Sequence, residues 1–233
     1  MTAREAPSPR EARATDVIRE VLPLAGRRVL DVGCGDGALT RSMARAGAVA
    51  TGIDISETRL AQARAAEPVA GADYREGRGE TLPFPDGSVD AVLYHNALHH
   101  VPVELQGAAL IETARVLKPG GNVLIIEPLA EGPYFGLVRQ IEDETEVRRA
   151  AYEALRATTA LQPVREDFYD APVRHPDFAA YEARSVAIHP GRKERFERLR
   201  PQMTRDFERL GRRTENGFLF SQPTRVNLLV KPA

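Results

Sequence analysis

The sequence has a single cysteine, Cys34, so no second cysteine is present to form a disulfide within it. It also has no apolar run close to the roughly 20 residues that a membrane-spanning helix needs. Residues 1–7 are polar and lack the apolar segment of a secretory signal peptide. We therefore expect a cytoplasmic protein with no membrane partner.

Excess charge is also lacking, and lysine is scarce. The 233 residues carry 32 basic and 33 acidic side chains, and the only lysines are Lys118, Lys193 and Lys231. This balance favours no nucleic-acid partner, and the preference for arginine is typical of high-GC coding. A hydrophobic content of 42% and this length suit one α/β domain with a small appended region.

A glycine turn between a short strand and a helix is the most informative stretch. Residues 29–32 form an apolar run, and Gly33, Gly35 and Gly37 follow at alternate positions. Residues 38–46 then have helical spacing of their apolar side chains. Glycines let a ligand approach the backbone closely, and a helix start presents free N–H groups, so this pattern predicts a nucleotide site.

Two acidic residues narrow the kind of nucleotide. Asp54 ends a second apolar run, residues 48–53, where a carboxylate can accept hydrogen bonds from both ribose hydroxyls. Asp31 lies just before the glycines, where it would repel a pyrophosphate and attract a cationic amine. The spacing G-x-G-x-G also differs from the G-x-G-x-x-G of dinucleotide folds. These features favour a nucleoside with an amino-acid tail.

The segments VLDVGCGDG and GIDIS closely resemble the first two motifs of class I methyltransferases that use S-adenosylmethionine. The resemblance implies that the loop from Gly33 to Gly37 holds the methionine part of this cofactor, Asp54 the ribose and Ile55 the adenine. Cys34 is expected to line the cofactor or the turn, since no base for a catalytic thiol lies nearby in the sequence. The implied cofactor-binding residues are Asp31, Gly33, Cys34, Gly35, Asp54, Ile55, Arg78, Gly79, His95 and Asn96.

Three further segments, LPFPDGSVD, NALHHV and RVLKPGG, extend the resemblance over residues 26–128. They are similar to the small-molecule branch that includes ubiquinone- and menaquinone-biosynthesis enzymes. The family usually has an aspartate that accepts from the adenine amino group where this sequence has Arg78. A guanidinium only donates hydrogen bonds. Arg78 is therefore expected either to stack on the adenine or to point outward, while Glu80 or a backbone carbonyl accepts.

A histidine-rich turn follows the predicted fourth strand, residues 91–94. The resemblance implies that the backbone of His95 and Asn96 contacts the methionine part. His99 and His100 are the candidate catalytic residues, because imidazole is a suitable general base; alternatively they close the turn by hydrogen bonding. Glu127, at the end of the predicted fifth strand, faces the substrate or makes a structural hydrogen bond. No metal site is predicted.

The resemblance implies a doubly wound, mostly parallel, seven-stranded Rossmann-like sheet with a helical cap after the fifth strand. We expect a cofactor-binding core over residues 1–128, a substrate-selecting cap over 129–212 and a terminal strand over 213–233. Helical patterns cover residues 138–160, 178–188 and 192–210. Candidate substrate contacts near or within the cap are Tyr134, Phe135, His175 and His189.

The leading hypothesis is a methyltransferase that transfers a methyl group from S-adenosylmethionine to a small molecule by in-line displacement. One alternative is a non-catalytic cofactor-binding or regulatory protein with the same fold, which the unusual Arg78 favours. A dehydrogenase is a third hypothesis, against which Asp31 and the glycine spacing weigh. The protein is expected to be a monomer or a homodimer.

Overall fold

A computed structural model describes residues 10–233, so the polar residues 1–7 considered above lie outside the described residues. The chain divides into two compact units. The first, here called the sheet unit, comprises Arg13–Glu127, Val147–Asp167 and Arg225–Ala233. The second, here called the aromatic unit, comprises Pro128–Glu146, Phe168–Thr224 and residues 10–12. Among the described helices, none is both long and apolar enough to cross a membrane.

The described residues form eight α-helices and ten strands. The helices are α1 (Ala14–Val21), α2 (Ala38–Arg45), α3 (Glu57–Ala65), α4 (Gln106–Val116), α5 (Gly132–Val138), α6 (Thr145–Ala157), α7 (Phe178–Ile188) and α8 (Lys193–Leu210). The strands are β1 (Arg28–Val32), β2 (Val49–Asp54), β3 (Ala72–Glu76), β4 (Val89–His95), β5 (Leu117–Pro128), β6 (Gln162–Asp170), β7 (Val173–His175), β8 (Arg212–Thr214), β9 (Gly217–Phe220) and β10 (Pro223–Val230).

A seven-stranded sheet has the order β3-β2-β1-β4-β5-β10-β6. The pairs β1–β2, β2–β3, β1–β4 and β4–β5 are parallel. Strand order reverses between β1 and β4, and ligands of doubly wound sheets bind at such a point, beyond the carboxyl ends of the strands. The predicted sheet of seven mostly parallel strands is confirmed.

Apolar residues from successive strands form the core of the sheet unit. Leu30, Val92 and Val123, on three neighbouring strands, are fully buried. Leu110 of α4 is fully buried in the same cluster. Continuous apolar strands of this kind are typical of a parallel sheet that is covered on both faces.

The aromatic unit contains a small sheet that the sequence did not predict. Strands β7, β9 and β8 are antiparallel, with β9 in the middle. Phe196 and Phe207 of α8 are buried with Phe220 of β9 in one apolar cluster. The predicted helices over 178–188 and 192–210 correspond to α7 and α8.

The single helix predicted over residues 138–160 is too long, because α5 ends at Val138 and α6 covers only Thr145–Ala157. The Asp143 carboxylate accepts a hydrogen bond from the Thr145 backbone N–H at 3.1 Å, at the first turn of α6. Aspartate is a favoured residue for satisfying such free N–H groups. The sequence signal for the start of α6 was therefore Asp143, two residues before Thr145.

Candidate active site

Strand register brings four carboxyl ends to one edge of the sheet. Val32 of β1 pairs with Ile53 of β2 and with Tyr94 of β4, and Tyr94 pairs with Ile125 of β5. The loops that follow these four residues therefore start side by side at the switch point of the sheet. The loop of Arg78 and Gly79 also begins at this edge, because it follows β3, whose Arg75 pairs with Ile53.

The glycine loop needs glycine at two positions for separate reasons. Gly33 has a φ of +73°, and a Cβ added there would lie 2.7 Å from the Ala97 Cβ. Gly37 has a φ of +74°, and its added Cβ would lie 2.4 Å from the Tyr74 ring. The N–H of Gly33 donates to the Ile53 carbonyl at 2.8 Å, which folds the loop back over β2. Positive φ and close packing against Ala97 and Tyr74 therefore both require glycine at these positions.

Asp54 is held by backbone donors from two loops. Its Oδ2 accepts from the Gly35 N–H at 2.9 Å, and its Oδ1 accepts from the Ser56 N–H at 2.9 Å. A carboxylate has about four acceptor positions, so it can also accept from hydroxyls of a ligand. Ile55, the next residue, is 65% exposed. A fixed carboxylate beside an exposed apolar side chain suits a nucleoside, with ribose on one and base on the other.

Asp31 is a buried carboxylate behind the glycine loop. It is only 2% exposed, and its Oδ2 accepts a hydrogen bond from the Thr40 hydroxyl of α2 at 2.6 Å. Burial, opposed by the Thr40 hydrogen bond and helped by the charge of Asp54, raises the pKa of Asp31 to about 6. The role of Thr40 was not predicted from the sequence.

The Cys34 thiol packs against β2. A Cβ added at Gly52 would lie 2.7 Å from the Cys34 Sγ, so this glycine makes room for the sulfur. Burial, together with the charges of Asp31 and Asp54, raises the pKa of the thiol. Because a protonated thiol is a poor nucleophile, the geometry favours the predicted role as a turn or lining residue.

Arg78 takes the outward orientation, one of the two considered from the sequence. Its side chain is 64% exposed, and its Nη1 lies 3.9 Å from the Glu80 Oε1. Its backbone carbonyl accepts from the Thr81 N–H at 3.3 Å. Gly79, between them, is buried. The Glu80 carboxylate is mostly buried and is the side-chain acceptor that this segment offers.

Arg115 of α4 fixes the segment that follows Glu80 by hydrogen bonds to its backbone and side chains. Its five N–H donors make five hydrogen bonds: two to the Glu112 carboxylate, one to Asp86, and one each to the Leu82 and Phe84 carbonyls, all between 2.7 and 3.0 Å. Glu112 also accepts from the Leu82 N–H at 3.0 Å. The guanidinium therefore fixes the backbone just beyond Arg78 and Glu80.

We expect Arg115→Lys to lower the free energy of unfolding by about 2 kcal/mol, because an ammonium has three donors and cannot reproduce the planar fork. Urea unfolding measures this effect. Arg64→Lys is the matched control, since Arg64 is exposed and forms a single surface ion pair with Glu57 at 2.7 Å; its effect should stay below about 0.5 kcal/mol. Equal effects of the two changes on the free energy of unfolding would contradict the role of Arg115 in fixing this backbone.

A buried pair joins the histidine turn to β5. Glu127 Oε1 accepts from the N–H groups of Ala97 and Leu98 at 3.2 and 2.9 Å, and Oε2 contacts His99 Nδ1. Burial acts to raise the pKa of Glu127, but the His99 charge and these hydrogen bonds outweigh it and hold the pKa below its ordinary value. His99 is 4% exposed. The carboxylate thus orients the ring and closes the turn.

The rest of the turn is more open. His100 is exposed, and its ring centroid lies 4.1 Å from that of His99. Burial lowers the pKa of His95, which keeps this ring neutral. Asn96 has a φ of +51°, uncommon for a residue other than glycine, and its N–H donates to the Ile126 carbonyl at 2.9 Å. Such left-handed residues are enriched at ligand sites.

The four candidate substrate contacts differ in exposure. His175 is 3% exposed and stacks on Tyr134, with ring centroids 5.8 Å apart. Burial, with the charge of Arg184, lowers the pKa of His175 to about 4. Phe135 is also buried, whereas Tyr134 is half-buried and His189 is exposed. His175 and Phe135 are therefore core residues of the aromatic unit.

Comparison with known proteins identifies relatives. A family model described as a methyltransferase domain matches residues 30–125. A ubiquinone biosynthesis O-methyltransferase from Ralstonia nicotianae is 44% identical over 112 residues, 46% of this chain and 46% of that protein. A 27-O-demethylrifamycin SV methyltransferase from Amycolatopsis mediterranei is 32% identical over 207 residues, 84% of this chain and 72% of that protein.

The chain belongs to the class I S-adenosylmethionine-dependent methyltransferases, in their small-molecule branch. The crystal structure of the [4+2]-cyclase SpnF has the same fold, with a TM-score of 0.63, 24% identity, and coverage of 94% of this chain and 80% of that one. The chain spans about half the length of the first curated relatives that it matches. The predicted family, fold class and cofactor are confirmed.

Proposed function

We propose that the protein transfers a methyl group from S-adenosylmethionine to a small-molecule acceptor by in-line displacement. The observation that carries this proposal is the Asp54 carboxylate, tied to the glycine loop through Gly35 and flanked by the exposed Ile55. When bound, S-adenosylmethionine supplies an electrophilic methyl group on a sulfonium. Because the methyl group is already activated, the main task of the protein is to align the acceptor with it.

The residues at the sheet edge fit this cofactor. We assign the ribose hydroxyls to Asp54, one face of the adenine to Ile55, and the cationic amine of the methionine part to Asp31. Backbone of the glycine loop, His95 and Asn96 would line the methionine part, with Cys34 and Gly79 as lining residues. Glu80 takes the acceptor role for the adenine amino group, since Arg78 points outward.

A hydroxyl is the acceptor group that the site and the relatives favour. The Glu127–His99 pair has the arrangement of a general base oriented by a carboxylate, because Glu127 contacts the His99 ring through Nδ1. Two relatives are named for methyl transfer to oxygen. We place the exposed His100 beside the acceptor path as a secondary candidate for the base.

The aromatic unit is proposed to select the acceptor. It includes most of the expected cap over residues 129–212. The expected terminal strand over 213–233 is divided, because β9 belongs to the small sheet of this unit and β10 to the seven-stranded sheet. The expected core over 1–128 is proposed to bind the cofactor. Tyr134 and His189 are the two candidate substrate contacts there that retain exposed surface. A cytoplasmic location and a monomeric or homodimeric state are part of the same proposal.

The direct test is calorimetry with S-adenosylmethionine and S-adenosylhomocysteine, followed by a methyl-transfer assay on a panel of hydroxylated aromatic compounds. Micromolar binding of both ligands and transfer to a hydroxyl would support the proposal. Binding without transfer to any acceptor class would favour the non-catalytic alternative, for which Arg78 is the main argument. Tight binding of NADH instead would favour a dehydrogenase.

Asp54→Ala should weaken S-adenosylhomocysteine binding by about 2 kcal/mol or more, roughly thirtyfold, because two ribose hydroxyls lose a charged acceptor. Calorimetry on the folded variant measures this loss. Glu57→Ala, which removes an exposed carboxylate three residues later, is the control and should leave the affinity unchanged. An unchanged affinity in Asp54→Ala would mean that the nucleoside lies elsewhere.

A further inference from the structure

Arg225 of β10 is a half-buried cation, and some of its N–H donors have no acceptor among the described residues. Its guanidinium carbon lies 3.5 Å from the centroid of the Tyr152 ring, which places the guanidinium over the ring face. Its Nε donates to the Asn227 Oδ1 at 3.1 Å. Nη1 and Nη2, with four N–H groups between them, donate to none of the residues from 10 to 233.

The nearby carboxylate is already used by other groups. Glu166 of β6 accepts from the Tyr152 hydroxyl at 3.0 Å and from the Asn227 Nδ2 at 2.7 Å. Within the described part of the chain, no carboxylate lies within 4.0 Å of the Arg225 guanidinium. Burial, opposed by the charges of Glu166 and Glu127, lowers the pKa of Arg225. A partly desolvated cation without a counter-ion is unfavourable.

The position of this cation in the sheet links it to the proposed acceptor site. Strand β10 lies next to β5, and the carboxyl end of β5 carries Glu127, the partner of His99. Arg225 and Glu127 both belong to the sheet unit. Arg225 is therefore on the strand next to the one that carries Glu127. An anion bound by its Nη1 and Nη2 would lie on the same side of the sheet unit's strand order as the proposed general base His99.

We propose that Arg225 binds an anionic oxygen group, a carboxylate or a phosphate, of the methyl acceptor, so that the natural acceptor is an acid. This inference rests on the proposed function and extends it to the substrate class. A planar guanidinium held by Tyr152 and Asn227 matches the two oxygens of such a group, and its immobilisation reduces the entropic cost of binding. Arg225 would thus be a specificity-determining residue rather than a catalytic one.

The test measures binding of inorganic phosphate, benzoate and the neutral benzyl alcohol to the full chain saturated with S-adenosylhomocysteine. We expect at least one anion to bind the wild type at least tenfold more tightly than benzyl alcohol. Arg225→Gln should weaken that binding at least tenfold and Arg225→Lys by less. Arg156→Gln is the matched control, because Arg156 is exposed and lies 5.9 Å from the same ring; it should have no effect.

Preference for benzoate would indicate a carboxylate acceptor, and preference for phosphate a phosphorylated one. The inference is overturned if neither anion binds better than benzyl alcohol, if Arg225→Gln leaves anion binding unchanged, or if Arg156→Gln weakens it equally. It is also overturned if Arg225→Gln weakens S-adenosylhomocysteine binding instead. Should the wild type bind no S-adenosylhomocysteine, the proposed function fails separately, and the anion comparison is repeated without it.

Discussion

Replacing His99 with alanine is expected to lower kcat at least a hundredfold while leaving the affinity for S-adenosylhomocysteine almost unchanged. The expectation follows from the contact between His99 Nδ1 and the buried carboxylate of Glu127. This contact holds the ring in a fixed orientation, as a general base in methyl transfer to a hydroxyl requires. Steady-state rates with a hydroxyl acceptor of the wild type, and calorimetry for the cofactor product, measure the two effects.

Two further variants separate a base from a purely structural histidine. Glu127→Gln keeps an oxygen for the N–H groups of Ala97 and Leu98 but removes the charge that faces His99, so it should shift the pH–rate profile as well as lower kcat. His100→Gln, at the exposed neighbour, should change kcat only a few-fold. If His99→Ala also changes kcat only a few-fold and chiefly lowers stability, the pair serves to close the turn.

The cofactor half of this protein could be predicted because its signals are local. The apolar run of β1, the glycines after it and Asp54 at the end of β2 are informative in combination, because they follow one another at the spacing of a nucleotide site. The structure adds the reason: Gly33 and Gly37 have positive φ and no room for a Cβ. Arg78 illustrates the limit, since the sequence leaves both of its orientations open.

Interactions across distant parts of the chain could not be predicted. Glu127 and His99 are 28 residues apart, and their contact depends on the register in which β4 pairs with β5. Arg225 belongs to a terminal strand without any recognised motif. Strands β7 and β8 have three residues each, too few to show the alternation that identifies a strand. Their pairing with β9 depends on the aromatic core instead.

Asp31→Asn is expected to stabilise the protein at neutral pH. The pKa of Asp31 is about 6 in the folded protein and 3.8 for the ordinary group, so the folded state binds the proton more tightly. The favourable contribution is fully present below about pH 4 and is lost as pH rises through 6. By pH 8, ionisation of this buried carboxylate costs the fold about 3 kcal/mol. The neutral amide avoids this cost and can still accept from Thr40.

Urea unfolding at pH 4 and pH 8 measures this effect as a change in the stability difference between variant and wild type. Any constant effect of the amide, such as a new unpaired N–H, cancels in that comparison. Asp36→Asn, which alters an exposed carboxylate of the same loop, should show no comparable pH dependence. A stability difference that stays constant between the two pH values would contradict the raised pKa.

The same substitution should weaken S-adenosylmethionine binding at least tenfold, because the cationic amine loses its carboxylate partner. In the wild type, affinity should rise about tenfold between pH 5 and pH 7 as Asp31 ionises, and this rise should vanish in the variant. If binding is unaffected, Asp31 acts only through its hydrogen bond with Thr40. The Asp31 charge would then destabilise the free protein and strengthen cofactor binding, a combination that is expected of a functional site. For a residue needed only for the fold, ionisation at this buried position would lower stability without any benefit.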